Sequence, residues 1–293
     1  MKVQLGKKTN EGKGNRTITT AVLPVAGLGT RIMPLTLHQP KAMIGIVDRP
    51  IIHYIIDEIV AAGIKHIVLV TGPNQPEFKK YINHLEKNPD WRKLNIKFDF
   101  AIQDNLWGNG DAVYAARNFI KNNEPFLVCF GDDLMDDSYP PLKTMVNLFT
   151  KTGAPIIALE KVPKKVISQY GVVKITKSAI NKDLYQIKDV VEKPKINEAP
   201  SDLAIIGRYL LTHDILNSIE KLFPHQDKEI ALADALKKYA LAGGKIYGWQ
   251  FRGKRFDAGS KIGLLKAQVY FGLQHEQLGP EFGQYLHKIK NRR

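Results

Sequence analysis

Apolar and polar positions follow two different periods along the first half of the chain. Short, mainly apolar runs rich in Val, Ile and Phe are typical of buried strands, and they predict strands at 18–25, 66–71, 96–102, 125–130 and 155–159. Apolar residues three or four positions apart are typical of helices, and they predict helices at 51–62, 77–86, 111–119 and 141–151. Strands that alternate with helices in this order predict an α/β fold of the doubly wound, Rossmann-like type, with a mixed, mainly parallel sheet.

The pattern changes after about residue 161, where strand candidates come closer together. The second half predicts strands at 171–176, 184–192, 204–211 and 245–251, and helices at 214–222, 230–241 and from 261 onward. No stretch rich in Pro, Gly and Ser separates the halves, so we expect one domain over 18–275, with halves at about 18–160 and 161–260. The flanking segments, 1–17 and 276–293, are predicted as basic tails, the first of them disordered.

Positive charge is concentrated at the two ends of the chain. The formal net charge is +14, and residues 1–20 hold five basic side chains against one acidic one. Four more basic residues lie at the other end, Lys288, Lys290, Arg292 and Arg293. The body of the chain is therefore only moderately basic, which suits phosphorylated substrates and disfavours nucleic acid as a partner.

Composition and motifs exclude or disfavour several classes of protein. The single cysteine, Cys129, lies in an apolar run, so no intrachain disulfide can form and a buried small hydrophobe is expected. No run of ~18 apolar residues is present to span a membrane, and the first residues lack the apolar core of a secretory signal. The histidines show no zinc-ligand spacing and no GxSxG elbow occurs, which disfavours zinc chemistry and acyl transfer. These features predict a cytoplasmic protein with no membrane partner.

The stretch 21–41, AVLPVAGLGTRIMPLTLHQPK, holds the sharpest chemical signal. An apolar strand ends in a glycine turn at Gly27 and Gly29, and two cations, Arg31 and Lys41, follow. Glycine lets backbone N–H groups approach phosphate oxygens. The P-loop pattern is absent, and so is the dinucleotide fingerprint, since Ile32 stands where its third glycine would be. We therefore expect a nucleotide at this strand end, with a plain strand-to-helix turn as the alternative.

Two further strand ends carry polar residues that should meet the glycine loop. Ligands of doubly wound sheets bind at the carboxyl ends of strands, where 103–111 and Gly131-Asp132-Asp133 lie. Magnesium needs only one or two protein carboxylates beside substrate phosphates. We expect Asp132 and Asp257, the latter in RFDAGS after the last strand, to hold it; a helix cap or a turn is the alternative for either aspartate.

Two polar segments are candidates for holding the rest of the ligand. Gln103 has the donor and acceptor to read the edge of a base, and Gly108 would let a base lie on the backbone, with Asp111 as predicted N-cap of the next helix. Glu192 has acceptors for sugar hydroxyls, while Lys193, biased to an extended conformation by the following proline, is placed to meet a phosphate. A plain loop and a surface ion pair are the respective alternatives.

Eight strings in this chain resemble the bacterial UTP–glucose-1-phosphate uridylyltransferase family, also called UDP-glucose pyrophosphorylases, and they run in family order across about 20–275. They are PVAGLGTR at 24–31, PKAM at 40–43, DRP at 48–50, AAGI at 61–64, YGVV at 170–173, VVEKPK at 190–195, AIIGRYLL at 204–211 and DAG at 257–259. VVEKPK and AIIGRY together are highly specific for this family.

The resemblance implies a nucleotidyltransferase fold with a sugar-binding insertion and C-terminal helices. It implies magnesium-dependent transfer of UMP from UTP to glucose 1-phosphate, which gives UDP-glucose and pyrophosphate by direct in-line displacement. The product would serve polysaccharide biosynthesis. The first half of the domain would be the nucleotide half and the second the sugar-binding half, and the protein would assemble as a homodimer or homotetramer.

Each role that the resemblance implies falls on a residue present here. Nucleotide binding falls on Ala26, Gly27, Gly29, Arg31, Lys41, Gln103 and Gly108, sugar-phosphate binding on Gly171, Glu192 and Lys193, and magnesium on Asp132 and Asp257. The residues expected to act in catalysis are Arg31, Lys41, Asp132, Lys193 and Asp257. No covalent intermediate is needed, because the protein aligns two polyanions and offsets their charge.

One departure from the family leaves the nucleotide preference open. Ala42 stands where the family usually has Glu, which removes a carboxylate expected near the nucleoside. A related transferase that uses dTTP or another sugar phosphate is therefore one alternative. A non-catalytic regulatory homologue that binds UDP-glucose is another, although such homologues tend to lose the loop cations that remain here.

Overall fold

The computed structural model describes residues 17–121, 123–136, 140–177, 180–223 and 229–290. Its strands are β1 (Thr20–Pro24), β2 (Gly45–Ile46), β3 (Arg49–Pro50), β4 (His66–Thr71), β5 (Lys97–Ile102), β6 (Phe126–Cys129), β7 (Asp133–Met135), β8 (Ile156–Lys161), β9 (Gly171–Lys177), β10 (Leu184–Glu192), β11 (Leu203–Leu211), β12 (Tyr247–Gln250) and β13 (Arg255–Asp257). Its α-helices are α1 (Ile51–Ala61), α2 (Pro76–Lys87), α3 (Pro89–Leu94), α4 (Asn109–Ala115), α5 (Pro141–Thr152), α6 (His213–Glu220), α7 (Leu232–Leu241), α8 (Lys261–Gln274) and α9 (Gly279–Lys290).

A nine-stranded mixed sheet, in the order β5-β4-β1-β6-β11-β8-β12-β10-β9, organises the molecule. The strands of the first half, β5, β4, β1 and β6, pair in parallel, as do β8 and β12. The other neighbouring strands in this order are antiparallel, and β11 also meets β9 where Ala204 pairs with Val172. The α/β fold with a mixed sheet is confirmed, and β9 and β10 form an antiparallel pair of consecutive strands with no helix between them.

The hydrophobic core lies on both faces of this sheet. In β1, Ala21 and Leu23 face α1, α2, α5 and α8, while Val22 faces α4, α6 and α7. Successive side chains of a strand point to opposite faces, so a strand that is covered on both sides must be apolar throughout. The carboxyl ends of β1 and β6, where the predicted site lies, are therefore held by two layers of packing.

All of the long predicted strands and helices are found, with ends within two residues of those predicted, except at α4. That helix begins at Asn109 with Gly108 as its N-cap, so the prediction of Asp111 as N-cap is wrong. Asp111 instead lies in the first turn and accepts a hydrogen bond from Gln103 Nε2 at 2.8 Å. The short pairs β2–β3 and β7–β13 and helix α3 were not predicted from the sequence, because two to six residues carry too little periodic signal.

The two ends of the chain differ in what the structure describes. Residues 1–16 of the predicted tail lie outside the described residues. The C-terminal segment includes helix α9, which packs on α8. Cys129 is fully buried, as predicted, and burial raises the pKa of its thiol to about 12. Within the described part of the chain, no helix has the length and apolar character needed to cross a membrane.

Candidate active site

A cleft of about 680 Å³ opens at the carboxyl ends of the central strands. Nine of the twelve predicted site residues line it: Ala26, Gly27, Gly29, Arg31, Lys41, Gln103, Gly108, Asp132 and Asp257. Ala42, the departure from the family pattern, lines it as well and is 2% exposed. The other three predicted residues, Gly171, Glu192 and Lys193, lie together beside its wall.

The glycine loop after β1 presents open backbone to the cleft. Nothing lies within 4 Å of where a Cβ at Gly27 would be, so its amide is accessible from that side. Gly29 has φ +64°, and a Cβ there would lie 2.7 Å from Thr36 Cγ2. Thr36 Oγ1 also donates to the Gly29 carbonyl at 3.0 Å. The loop therefore needs glycine at 29 for its fold and exposes Gly27 to a ligand.

Two cations and two carboxylates meet at one point of the cleft. Lys41 Nζ donates to Asp132 Oδ2 at 2.6 Å. Arg31 spans both acids, with Nη1 3.3 Å from Asp257 Oδ2 and Nη2 3.9 Å from Asp132 Oδ2. A Cβ at Gly259 would lie 2.8 Å from Asp132 Oδ2 and 2.9 Å from Asp257 Oδ1, so both carboxylates border the same small space. Residues far apart in sequence thus form one charged cluster.

The pKa values of Asp132 and Asp257 are shifted in opposite directions. Burial works to raise the pKa of Asp132, but Lys41 and Arg31 outweigh it and leave the pKa below its usual value. For Asp257, burial and the negative charge of Asp132 raise the pKa, and Arg31 opposes them only in part. Two carboxylates held together in this way favour the binding of a cation between them.

This donor set fits a magnesium ion. Among the described residues, no group of three or more His, Cys, Asp and Glu side chains is arranged as a protein-only metal cage. Magnesium does not need one, since it binds through one or two carboxylates and takes its other ligands from water and substrate phosphates. Asp132 and Asp257 supply that minimal pair, and the cleft leaves room for phosphates.

Gln103 holds the loop that leads into α4. Its Nε2 donates to the Gly108 carbonyl at 3.0 Å as well as to Asp111. Gly108 has φ +125°, and a Cβ there would lie 2.7 Å from the Ile230 carbonyl oxygen. Only glycine fits this close approach of two backbones. Gln103 thus shapes the wall of the cleft in addition to facing it.

The antiparallel pairing of β9 and β10 brings three of the predicted residues together. Gly171 begins β9, Glu192 ends β10, and Lys193 follows Glu192. Glu192 lies opposite Gly171 in the register, and a Cβ at Gly171 would be 3.0 Å from Glu192 Oε2. Lys193 Nζ lies 3.5 Å from Glu192 Oε1 and 3.9 Å from Glu229 Oε2. Burial raises the pKa of Glu192, and Lys193 offsets part of this effect.

Lys193 does not have the extended backbone that the following proline predicts. Its φ is +45°, in the left-handed region that side chains rarely adopt, and that prediction is wrong. The Lys193 N–H donates to the Tyr170 carbonyl at 3.0 Å. This tertiary hydrogen bond helps to hold a strained conformation, which turns the lysine at the end of β10.

Sequence reasoning missed four cleft residues whose contacts matter here. Asp133 has no predicted role beyond its place in Gly131-Asp132-Asp133 at a strand end, yet it is 7% exposed and accepts hydrogen bonds through both carboxylate oxygens. Tyr170, Glu229 and Arg255 also line the cleft. The position of Arg255, two residues before Asp257 and hence on the same side of β13, was the one local signal available.

The fold and the site define the class of this protein. The family model for nucleotidyl transferases matches residues 20–271, and the chain belongs to this family. A UTP--glucose-1-phosphate uridylyltransferase 1 of Streptococcus pyogenes serotype M3 is 37% identical over 290 residues, which are 93% of this chain and 94% of that protein. The resemblance found in the sequence, to the uridylyltransferase branch of the family, is confirmed.

Solved structures give the same result. A UDP-glucose pyrophosphorylase complexed with UDP-glucose matches with a TM-score of 0.80 and 35% identity, over 88% of this chain and 100% of that one. A UTP-bound UGPase from Acinetobacter baumannii matches with a TM-score of 0.79 and 33% identity, over 92% of this chain and 99% of that one.

Proposed function

We propose that this chain transfers UMP from UTP to glucose 1-phosphate in a magnesium-dependent reaction that releases UDP-glucose and pyrophosphate. The observation that carries the proposal is the convergence of Arg31, Lys41, Asp132 and Asp257 in one cleft. Nucleotidyl transfer brings two polyanions together, so its main obstacle is negative charge, and this cluster addresses that obstacle.

The nucleotide lies along the glycine loop. Its phosphates face the open backbone at Gly27 and the cations Arg31 and Lys41, and its base lies against Gly108 and the wall that Gln103 holds. Asp132 and Asp257 hold magnesium, which when bound offsets the negative charge of the phosphates. The nucleotide must also draw Arg31 and Lys41 toward its phosphates, away from the two aspartates.

The sugar phosphate lies on the other side of the cleft, near β9 and β10. Glu192 accepts hydrogen bonds from glucose hydroxyls, the glycine at 171 leaves room for the Glu192 carboxylate, and Lys193 meets the phosphate. A phosphate oxygen of the sugar then attacks the α-phosphorus of UTP in line, and pyrophosphate leaves. Alignment and charge compensation suffice for this step, so no protein nucleophile is required.

Pyrophosphate release tests this function directly. UTP or dTTP is paired with glucose 1-phosphate or with its galactose and mannose counterparts, in the presence of magnesium. The proposal expects the fastest release with UTP and glucose 1-phosphate. Faster release with dTTP or another sugar would assign a different member of the class, and no release while UDP-glucose still binds would indicate a regulatory homologue.

The expected assembly is a homodimer or homotetramer. Large apolar side chains on α8 and α9 support association, since Ile262, Leu265 and Tyr285 are each about 60% exposed. Light scattering coupled to size-exclusion chromatography measures the mass in solution, and a monomer at micromolar concentration would contradict this expectation.

A further inference from the structure

A buried network lies directly behind the two magnesium aspartates, centred on Asp133 and Arg255. Asp133 Oδ1 accepts from Arg255 Nη1 at 2.6 Å, and Asp133 Oδ2 accepts from the Gly207 N–H at 2.6 Å. The side chains of Asp133 and Arg255 are 10% and 8% exposed. Although Asp133 is next to Asp132 in sequence, both of its oxygens accept hydrogen bonds from the protein, so its carboxylate is oriented into this network.

The same pair fixes the two strands that carry the metal ligands. Strands β7 and β13 are antiparallel, with Asp133 opposite Asp257, and the Ala258 N–H donates to the Asp132 carbonyl at 2.8 Å. Asp132 immediately precedes β7, and Asp257 ends β13. These strands are only three residues long. Backbone pairing of this length is weak, so the Asp133–Arg255 ion pair adds a buried side-chain link between the two strands, behind Asp132 and Asp257 and separate from the more exposed Arg31 that bridges these acids in the cleft.

Arg255 also reaches the sugar-phosphate side of the cleft. Its Nε donates to Glu160 Oε2 at 2.6 Å, its Nη2 donates to the Tyr170 hydroxyl at 3.3 Å, and its guanidinium lies 5.5 Å from the centre of the Tyr170 ring. The Tyr170 carbonyl in turn accepts from the N–H of Lys193, whose left-handed backbone needs support. One guanidinium therefore contacts both walls of the site.

We propose that Arg255, anchored by Asp133, is a positioning residue that sets the magnesium carboxylates in register with Tyr170 and Lys193. The inference rests on the proposed function, because it assigns to Arg255 the alignment of the metal side and the sugar-phosphate side. A planar guanidinium with several fixed donors can bridge three partners at once, whereas a lysine ammonium cannot hold that geometry.

Electrostatics and positioning predict opposite results for one variant. Arg255→Gln removes a positive charge near the metal site, so electrostatics alone would tighten the binding of a divalent cation. If Arg255 positions the carboxylates, the same variant weakens cation binding, by about 10- to 100-fold for the loss of a group that orients metal ligands. Arg255→Lys keeps the positive charge but loses the planar guanidinium with its fixed donors. If Arg255 positions the carboxylates, this variant should also bind the cation more weakly.

Electron paramagnetic resonance of Mn²⁺ tests this, with the full chain and UDP-glucose present and no turnover. Weaker Mn²⁺ binding in both Arg255→Gln and Arg255→Lys supports the proposal. Glu160→Gln is the matched control, because it removes the charge of another partner of Arg255 without touching β7, and it should bind Mn²⁺ within about threefold of wild type. Unchanged or tighter binding in Arg255→Gln, or an equal loss in Glu160→Gln, would overturn the proposal.

Tyr170→Phe separates the two sides of the network. It removes the hydroxyl that Arg255 contacts and leaves Asp133 untouched, so it should raise KM for glucose 1-phosphate severalfold while Mn²⁺ binding stays at the wild-type level.

Circular dichroism checks that each variant is folded, and Arg255→Lys covers the case in which Arg255→Gln does not fold. If the wild-type protein binds no Mn²⁺ with UDP-glucose present, the magnesium site of the proposed function fails, and this inference fails with it.

Discussion

The Asp132 side chain forms ion pairs within the protein and is also a candidate ligand for the proposed magnesium ion. It is held by Lys41 and faced by Arg31, and these cations keep its pKa low despite burial. The carboxylate is therefore ionised at neutral pH and ready for a cation. Asp132 is half-buried, and a carboxylate removed from water to this extent needs such partners to stay ionised.

Asp132→Asn is expected to lower turnover by about 100-fold or more, because it removes one of the two carboxylates proposed to hold magnesium. Steady-state pyrophosphate release measures the loss, and circular dichroism verifies the fold. Asp90→Asn, at a side chain that is 85% exposed and forms a surface ion pair with Lys93, is the control and should retain full activity. Near-normal turnover in a folded Asp132→Asn protein would rule out its role.

Glu192 leads to a pH prediction. Burial raises the pKa of Glu192 above its ordinary value, so acidification protonates it at a higher pH than it would an exposed glutamate. Binding of UDP-glucose should therefore weaken as the pH falls through that raised pKa. Glu192→Gln should bind about tenfold more weakly at neutral pH and show no such dependence. Calorimetric titration from pH 7 downward measures both; an unchanged pH profile in Glu192→Gln would contradict the assignment.

The raised pKa of Glu192 also affects the stability of the fold. Acidification weakens ligand binding, but it increases the contribution of Glu192 to stability. Because folding raises the pKa, the native state favours the protonated Glu192, and stability falls as the pH rises from the unfolded to the folded pKa. Gln at this position carries no charge, so Glu192→Gln should be at least as stable as wild type at pH 7. Thermal melts of the two proteins at pH 4 and pH 7 check the sign.

At the scale of elements, one buried ion pair joins helix α1 to strand β11. Arg208 is fully buried, and its Nη2 donates to Glu58 Oε2 at 2.8 Å and to the Asp133 carbonyl at 2.7 Å. The helix and the strand are far apart in sequence, yet this pair fixes their relative position beside β7. It therefore supports the network behind Asp132 and Asp257 as well as the core.

Glu58→Ala should destabilise the protein by about 3–5 kcal/mol, because it leaves the buried Arg208 charge without its partner. Urea denaturation followed by circular dichroism measures the loss. Glu86→Ala, an exposed glutamate on α2, is the matched control and should change the free energy of unfolding by less than about 0.5 kcal/mol. A loss in Glu58→Ala as small as in this control would show that Arg208 is compensated in another way.

At the scale of the whole molecule, the functional cleft and the excess charge are separated along the chain. The cleft is lined by residues from Pro24 to Asp257, and the family model matches 20–271. The densest positive charge lies outside that range, in the two terminal segments. Catalysis and any binding by the basic ends should therefore be separable.

Deletion of residues 1–16 should leave kcat and both KM values within about twofold of wild type, because the whole cleft lies C-terminal to the cut. The pyrophosphate assay measures this. A salt-sensitive interaction with a DNA oligonucleotide, if wild type shows one, should be lost on deletion, since such binding scales with the number of basic contacts. Loss of turnover in the truncated protein would show that the tail takes part in catalysis.

The spacing of apolar residues predicted most of this fold, because a long strand or helix that packs on the core repeats its apolar pattern several times. Strands such as His66–Thr71 and Leu184–Glu192 and helices such as Pro141–Thr152 repeat their apolar pattern often enough to be read locally. The pairs β2–β3 and β7–β13 do not, because strands of two or three residues form only when tertiary contacts bring them together.

The sequence by itself determined the order of the longer strands and helices, the glycine loop, its cations and the family, since each depends on residues close together in the chain. The tertiary structure decided which charges meet. Asp132 and Asp257 converge on one space, Lys193 takes a left-handed backbone, and Asp133 is tied to Arg255, all through contacts that span many residues. Such contacts leave no periodic trace, because they depend on the register in which distant strands pair.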